Sequence, residues 1–193
     1  MTKRVFVIHC WGGNPNEGWL PWLKQELEAR GFLVFVPLMP DSSKPSIETW
    51  VPHLASQVGA SDEGTYFVGH SIGCLTILKY LETIDGPIGG AVFVAGWFSL
   101  TPEATPTPEE QEIARQWLGH PVDFERVRRT THNFTALFSD DDPDVPIENA
   151  QLFRDRIDAE VIIESGKGHF SEGDGIRELP AARDAVMKYA ASR

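Results

Sequence analysis

The sequence predicts an α/β fold with a mainly parallel sheet and helices on both of its faces. Short runs of β-branched or aromatic residues recur along the chain, and longer stretches with apolar residues at helical spacing separate them. This alternation is typical of βα units stacked into one sheet. A chain of 193 residues suffices for one well-buried core but not for two domains of ordinary size, so we expect a single domain over residues 1–193.

Six strands are predicted from the apolar runs, and helices are predicted in the intervals between them and after the last one. The predicted strands are residues 5–9, 33–36, 65–68, 91–95, 135–138 and 160–164. The predicted helices are residues 19–29, 46–58, 72–84, 148–157 and 180–191.

One segment after the fourth strand interrupts this alternation. Residues 98–124 contain three closely spaced prolines and then an apolar pattern at helical spacing, formed by Ile113, Ala114, Trp117 and Leu118. An insertion at the carboxyl end of a strand lies over the place where open α/β sheets bind ligands. We therefore expect a small cap; the alternative is an ordinary surface loop with one helix.

Charge and composition exclude several functional classes. The formal net charge of −11 predicts no nucleic-acid partner, since phosphate binding requires clustered cations. Cys10 and Cys74 lie far apart without other ligands at metal spacing, so neither a disulfide nor a metal site is expected. No apolar run has membrane-spanning length, and the first is too short for a signal peptide, so we expect a cytoplasmic protein that binds no membrane.

The pentapeptide Gly69-His70-Ser71-Ile72-Gly73 is the candidate nucleophile site. The pattern G-x-S-x-G occurs by composition alone in roughly one such chain in ten, but here it directly follows a predicted strand and opens a predicted helix. A nucleophile elbow requires this context, because the sharp turn projects the serine hydroxyl at the carboxyl edge of the sheet. The alternative is that Ser71 is only a helix N-cap.

His169 is the candidate general base. It follows the last strand in a glycine-containing loop, and it completes the chain order serine, acid, histidine that accompanies a nucleophile elbow. The acid is expected in the turn after the fifth strand, which offers Asp140, Asp141, Asp142 and Asp144. A carboxylate there would fix the imidazole tautomer and stabilise the imidazolium. The alternatives are a plain loop histidine and a solvated acidic turn.

The loop after the first strand is expected to complete an oxyanion hole. One backbone donor would be the N–H of Ile72, the residue after the nucleophile, and the second would come from residues 9–15. Gly12 and Gly13 let the main chain approach a ligand closely, and Trp11 is positioned to offer its N–H. The alternative is a simple tight turn.

The chain resembles the small serine hydrolases of the retinoblastoma-binding protein 9 and YdeN type over nearly its full length. A tryptophan pair that is unusual among hydrolases in general, in Trp19-Leu20-Pro21-Trp22-Leu23-Lys24, adds specificity to the resemblance. The other shared features are Val7-Ile8-His9 with Gly12-Gly13, Met39-Pro40-Asp41, Trp50, the pentapeptide around Ser71, Asp141-Asp142-Pro143 and Gly168-His169-Phe170.

This resemblance implies a reduced α/β-hydrolase fold whose six-stranded sheet has the order 2-1-3-4-5-6. It also implies Ser71 as nucleophile, His169 as base and Asp142, the aspartate directly before proline, as acid. The pair Cys10-Trp11 departs from the small residues that are often present in the first loop. The second oxyanion donor therefore does not carry over from the resemblance.

The expected activity is hydrolysis of a small ester or amide through an acyl-enzyme, without a cofactor. The partner would be a small-molecule acyl substrate with a short acyl group, in a pocket lined by Trp97, Phe98, Trp117 and Phe170. We expect a monomer or a weak homodimer. Two alternatives are a hydrolase-fold binding protein with little turnover and an acyltransferase that uses the same triad.

Overall fold

The computed structural model describes residues 2–191 and contains a six-stranded sheet with the order β2-β1-β3-β4-β5-β6, in which all neighbouring strands are parallel. The predicted fold class and strand order are confirmed. The strands are β1 (Arg4–Ile8), β2 (Leu33–Phe35), β3 (Thr65–His70), β4 (Gly90–Val94), β5 (Phe134–Ser139) and β6 (Glu160–Glu164).

Helices connect the strands and follow the last one. They are α1 (Leu20–Glu28), α2 (Ile47–Val58), α3 (Ile72–Leu81), α4 (Pro108–Gly119), α5 (Phe124–Thr130), α6 (Glu148–Ile157) and α7 (Pro180–Ala191). Helix α5 was not predicted, because a seven-residue helix with only Val127 and Thr130 buried leaves too short a periodic pattern to recognise. Within residues 2–191, no helix combines the length and apolar content that crossing a bilayer requires.

Alternate residues of the central strands enter two separate cores. In β1, Phe6 and Ile8 pack on the face covered by α2, α3, α5 and α6, whereas Val5 and Val7 pack on the face covered by α1 and α7. The central strands are therefore buried on both faces. This burial explains why these strands appear in the sequence as nearly continuous apolar runs.

The strand order makes the chain change direction between β1 and β3. These strands are neighbours, with Ile8 paired to Gly69, while their connections lead toward opposite edges of the sheet. A crevice opens at the carboxyl ends of the strands at such a switch point. The loop after β1 and the turn after β3 consequently lie side by side, although 60 residues separate them in sequence.

The segment predicted as a cap contains a short 3₁₀ helix, Pro102–Ala104, followed by α4. Its contacts tie it to two loops at the carboxyl end of the sheet. The indole of Trp117 donates to the carbonyl oxygen of Pro45 over 3.0 Å, and the N–H of Thr101 donates to that of Asp144 over 2.9 Å. The segment thus lies beside the acidic turn, while the division into one domain with a cap stays a prediction.

Candidate active site

Ser71 occupies a strained turn between β3 and α3. Its backbone has φ 55° and ψ −119°, a conformation that is unfavourable for any residue other than glycine, and its side chain makes no helix-capping hydrogen bond. The N-cap alternative does not describe this geometry, since a capping serine has extended backbone angles and accepts from the first turn. A strained turn between a strand and a helix is the geometry that a nucleophile elbow requires.

Gly73 allows helix α3 to approach β1 closely enough to form the elbow. A methyl group at this position would lie 2.5 Å from the carbonyl oxygen of Ile8 and 2.9 Å from that of His9. Both neighbours are main-chain atoms that cannot move aside independently. Glycine is therefore required on steric grounds at the second glycine position of the pentapeptide, which the motif alone does not reveal.

His169 and Asp142 form a hydrogen-bonded pair. The Nδ1 of His169 lies 2.9 Å from Oδ2 and 3.2 Å from Oδ1 of Asp142. The carboxylate side chain is only 2% exposed, and its Oδ1 also accepts the backbone N–H groups of Asp144 and Val145. Because a carboxylate oxygen accepts, the Nδ1 of His169 is the donor, and in the neutral imidazole Nε2 then has a free lone pair.

The other three aspartates of the turn have different surroundings. Asp140 accepts the N–H of Gly166 over 3.0 Å, and Asp141 accepts that of Gly168 over 2.8 Å, so both bind the main chain of the histidine loop. Bonding to the hydroxyl of Ser139 and to Gly168 lowers the pKa of the Asp141 carboxyl. Asp144 lines the cavity at Ser71, and burial raises the pKa of its carboxyl.

The loop after β1 holds the peptide unit between Cys10 and Trp11 by its carbonyl oxygen. The carbonyl of Cys10 accepts from Nδ1 of His9 over 2.8 Å and from the N–H of Gly13 over 3.1 Å. The N–H of the same peptide unit, which belongs to Trp11, points in the opposite direction because the peptide is trans. Within residues 2–191 neither this N–H nor that of Ile72 has a hydrogen-bond acceptor in the chain.

A cavity of about 480 Å³ joins these groups. Ser71 and His169 line it together with Trp11 from the β1 loop, and the cap segment contributes Leu100, Ala104 and Glu110. Its remaining lining residues are Cys10, Gly12, Ser43, Trp97, Asp144 and Ser171. The structure therefore brings the predicted nucleophile and base to one partly open cavity.

Three of the four predicted pocket residues do not line this cavity, and the prediction is corrected for them. Phe98 packs on Phe153 with ring centroids 4.7 Å apart, and Trp117 is buried edge-on against Trp50. Phe170 is fully buried in the core beneath α1 and α7. Of the four, Trp97 lines the cavity, and its role toward a substrate stays a prediction. Side-chain direction after a strand depends on backbone turns that aromatic composition does not reveal.

Sequence reasoning did not identify Ser43, Leu100, Glu110 and Ser171 as lining residues. These come from four separate loops or helices that meet only in the folded chain. A weak signal was present for two of them, since Leu100 and Glu110 fall inside the predicted cap. Nothing in the local sequence distinguishes Ser43 or Ser171 from ordinary loop serines.

The two cysteines are not ionised nucleophiles. Cys10 lines the cavity, but burial together with the nearby carboxylate of Glu17 raises the pKa of its thiol to about 12. Burial also raises the pKa of the Cys74 thiol, which donates to the carbonyl oxygens of Gly69 and Val94 beneath the elbow. Thiolate chemistry is therefore disfavoured at both positions.

Within residues 2–191, one group has the spacing to hold a metal ion: ligand atoms of Asp142, Asp144 and His169 lie within 4.8 Å of one another. Asp142 and His169 already share a hydrogen bond. A metal ion bound at Nδ1 of His169 would have to displace its proton, which disfavours such a site. The expectation of no metal stays a prediction.

Comparison with known proteins identifies relatives along the whole chain. The model of a family described as serine hydrolase matches residues 5–188. The putative hydrolase YdeN of Bacillus subtilis is 29% identical over 191 residues, which cover 98% of this chain and 97% of that protein. The serine hydrolase RBBP9 of Rattus norvegicus is 28% identical over 171 residues, which cover 88% of this chain and 87% of that protein.

A solved structure shows the same similarity. The crystal structure of the ydeN gene product from B. subtilis superposes with a TM-score of 0.90 at 28% identity, and the match covers 98% of this chain and all of that one. The resemblance inferred from the sequence motifs is confirmed by these matches.

Proposed function

The chain belongs to the serine hydrolase family, and we propose that it cleaves a small ester, with a short acyl group, through Ser71, His169 and Asp142. One observation carries this proposal. A serine in a strained strand-to-helix turn lines the same cavity as a histidine whose Nδ1 lies 2.9 Å from a buried carboxylate. These are the nucleophile, base and orienting acid that two-step acyl transfer requires.

Each member of this triad has a defined task. Asp142 holds the proton of His169 on Nδ1, so that Nε2 accepts the proton of Ser71 as its Oγ attacks the acyl carbonyl carbon. The C–O bond to the leaving alcohol breaks as Nε2 returns the proton to it. Water then attacks the acyl-enzyme with the same base, and Ser71 is regenerated.

Two backbone donors would stabilise the negative oxygen of the tetrahedral intermediate. The N–H of Ile72 lies at the first turn of α3, where the helix dipole adds positive potential. The second is the N–H of Trp11, which is free of other acceptors within residues 2–191. The Gly12 N–H is unsuited to this role because it already donates to the carbonyl of Ser42 over 2.7 Å.

The cavity supports a small substrate. Its volume of about 480 Å³ lies in the lower half of the range usual for small-molecule sites. Trp97, Leu100 and Ala104 supply apolar surface for an acyl or alcohol group. The cap segment closes one side, which limits the length of chain that can extend from Ser71.

Covalent labelling with a fluorophosphonate probe tests the proposed function. The probe phosphonylates activated serine hydroxyls, so we expect a single adduct, located by mass spectrometry on the peptide that contains Ser71. Ser43 and Ser171 line the same cavity and serve as internal controls that should stay unmodified. Heat-denatured protein should not react. An adduct elsewhere, or none on the folded protein, would overturn the proposal.

The charge of the cavity predicts discrimination between substrates. Asp144 and Glu110 line it, and among the described residues that line it there is neither lysine nor arginine. We expect p-nitrophenyl acetate to have a kcat/KM at least about tenfold above that of the p-nitrophenyl monoester of succinate, because like charges a few Å apart repel by more than 1 kcal/mol near a protein surface.

The variant Asp144→Asn is the matched control for this prediction, since it removes one negative charge with little change of shape. It should narrow the ratio between the two esters and leave turnover of the neutral acetate nearly unchanged. Equal values of kcat/KM for both esters in the wild-type protein would contradict the prediction, because they would show that the negative charge of the cavity does not repel the acyl group.

A further inference from the structure

Two buried aromatic rings outside the proposed triad donate hydrogen bonds to the loop that carries His169. The Nε2 of His70 lies 2.8 Å from the carbonyl oxygen of His169, and the Nε1 of Trp19 lies 3.0 Å from that of Phe170. A carbonyl oxygen only accepts, so each ring nitrogen is the donor. Two successive peptide carbonyls are thus held by side chains from different parts of the chain.

These rings form one packed group with the histidine of the triad. The ring centroids of Trp19 and His70 are 5.7 Å apart, and those of His70 and His169 are 5.3 Å apart. Trp19 is 1% exposed and His70 is 4% exposed. Burial lowers the pKa of His70 to about 3, so its ring is neutral and the proton that it donates is its only one.

The loop that receives these bonds has an unfavourable backbone conformation. Phe170, directly after His169, has φ 54°, in the left-handed region that side chains other than glycine rarely adopt. Such a conformation persists only where the surrounding structure holds it. The start of the loop is held by Ser139 and Asp141, whose side chains accept the N–H groups of Lys167 and Gly168.

We propose that Trp19 and His70 are positioning residues, which hold the strained loop so that His169 stays directed at Ser71. The inference rests on the proposed function of Ser71 and His169. Without either donor a buried carbonyl loses its partner, and the loop relaxes toward a conformation in which His169 is misplaced. This role also accounts for the first tryptophan of the Trp19–Trp22 pair and for the histidine directly before the nucleophile.

Substitutions that remove the donors test the proposal. Trp19→Phe keeps an aromatic ring without the N–H, and His70→Leu removes the imidazole. We expect each to lower kcat for p-nitrophenyl acetate by about 10- to 100-fold, the usual cost of a misplaced catalytic group, with KM changed by less than about twofold. Because a smaller folded fraction would also lower the apparent kcat without changing KM, kcat is calculated per folded molecule.

Conservative variants supply the rescue and the control. In His70→Gln the side-chain amide reaches the place of Nε2, so this variant should retain kcat within about threefold. In His70→Asn the amide is too short, so kcat should fall as far as in His70→Leu. Trp22→Phe is the matched tryptophan control, because the Trp22 ring contacts Arg183 and, within residues 2–191, its N–H donates no hydrogen bond to the histidine loop. Its kcat should be unchanged.

The outcomes separate the two levels of inference. Activities are compared per folded molecule, with the folded fraction measured by circular dichroism. If His70→Leu does not fold, the comparison of His70→Gln with His70→Asn tests the positioning role instead. The positioning role is wrong if the Gln and Asn variants have equal kcat, or if Trp19→Phe matches Trp22→Phe. Failure of the wild-type protein to react with a fluorophosphonate at Ser71 would instead reject the proposed function.

Discussion

Ser71→Ala is expected to lower kcat for p-nitrophenyl acetate by about 10⁶-fold, the loss typical of removing the nucleophile from a serine hydrolase triad. The remaining rate would come from substrate binding and the backbone donors alone. Alanine keeps the same Cβ in the strained turn, whose φ of 55° penalises both residues equally. Because the hydroxyl also makes no helix-capping hydrogen bond, the free energy of unfolding should change by no more than about 1 kcal/mol.

Ser43→Ala is the matched control for this variant. Ser43 lines the same cavity, but its hydroxyl donates to Asp41 over 2.9 Å rather than facing a base. We expect its kcat to stay within a few-fold of wild type, measured in the same assay with urea titration to compare stability. Substantial turnover in Ser71→Ala, or an equal loss in Ser43→Ala, would contradict the assignment of the nucleophile.

Asp142→Asn is expected to lower kcat by about 10⁴-fold, as replacement of the acid by its amide does in other triads. The amide nitrogen can donate to Nδ1 of His169 and so favours the tautomer that carries the proton on Nε2. That tautomer cannot accept the proton of Ser71. Both kcat and kcat/KM are measured, and we expect them to fall together because the substitution should slow the chemical step.

The neighbouring aspartates provide controls within the same turn. Asp140→Asn and Asp141→Asn retain a carbonyl oxygen that can still accept the N–H groups of Gly166 and Gly168. We expect kcat losses below about tenfold for both, because hydrogen bonds of the loop are preserved. If Asp144→Asn instead showed the large loss and Asp142→Asn did not, the acid would be Asp144.

Strongly periodic features of the chain could be predicted from the sequence. The strand predicted at residues 160–164 coincides with β6, and the predicted helix at residues 148–157 coincides with α6. Element ends were less accurate: the predicted third strand stopped at Val68, whereas β3 continues through Gly69 to His70. Glycine has a low strand propensity, so the apolar pattern ended before the pairing of the main chain did.

Some residues of the candidate site could likewise be selected from the sequence, and others could not. Ser71 and His169 could be selected because each belongs to a distinctive short motif in the order that the fold requires. The pocket residues could not, since Phe98, Trp117 and Phe170 are as apolar as Trp97 and differ only in where their side chains point. Cavity walls are formed by side chains from several loops, whose mutual placement has no local signature.

The sequence by itself determined the α/β class, the turn that presents Ser71 and the loop that carries His169, because these depend on periodicity and on glycines next to one another along the chain. Position in the turn left four aspartates as candidates for the acid, and the resemblance alone implied Asp142 among them. Which carboxylate meets His169 depends on long-range folding, which brings Oδ2 of Asp142 to 2.9 Å from Nδ1 of His169. Folding likewise brings Trp19 to Phe170, 151 residues away in sequence, and His70 to His169, 99 residues away.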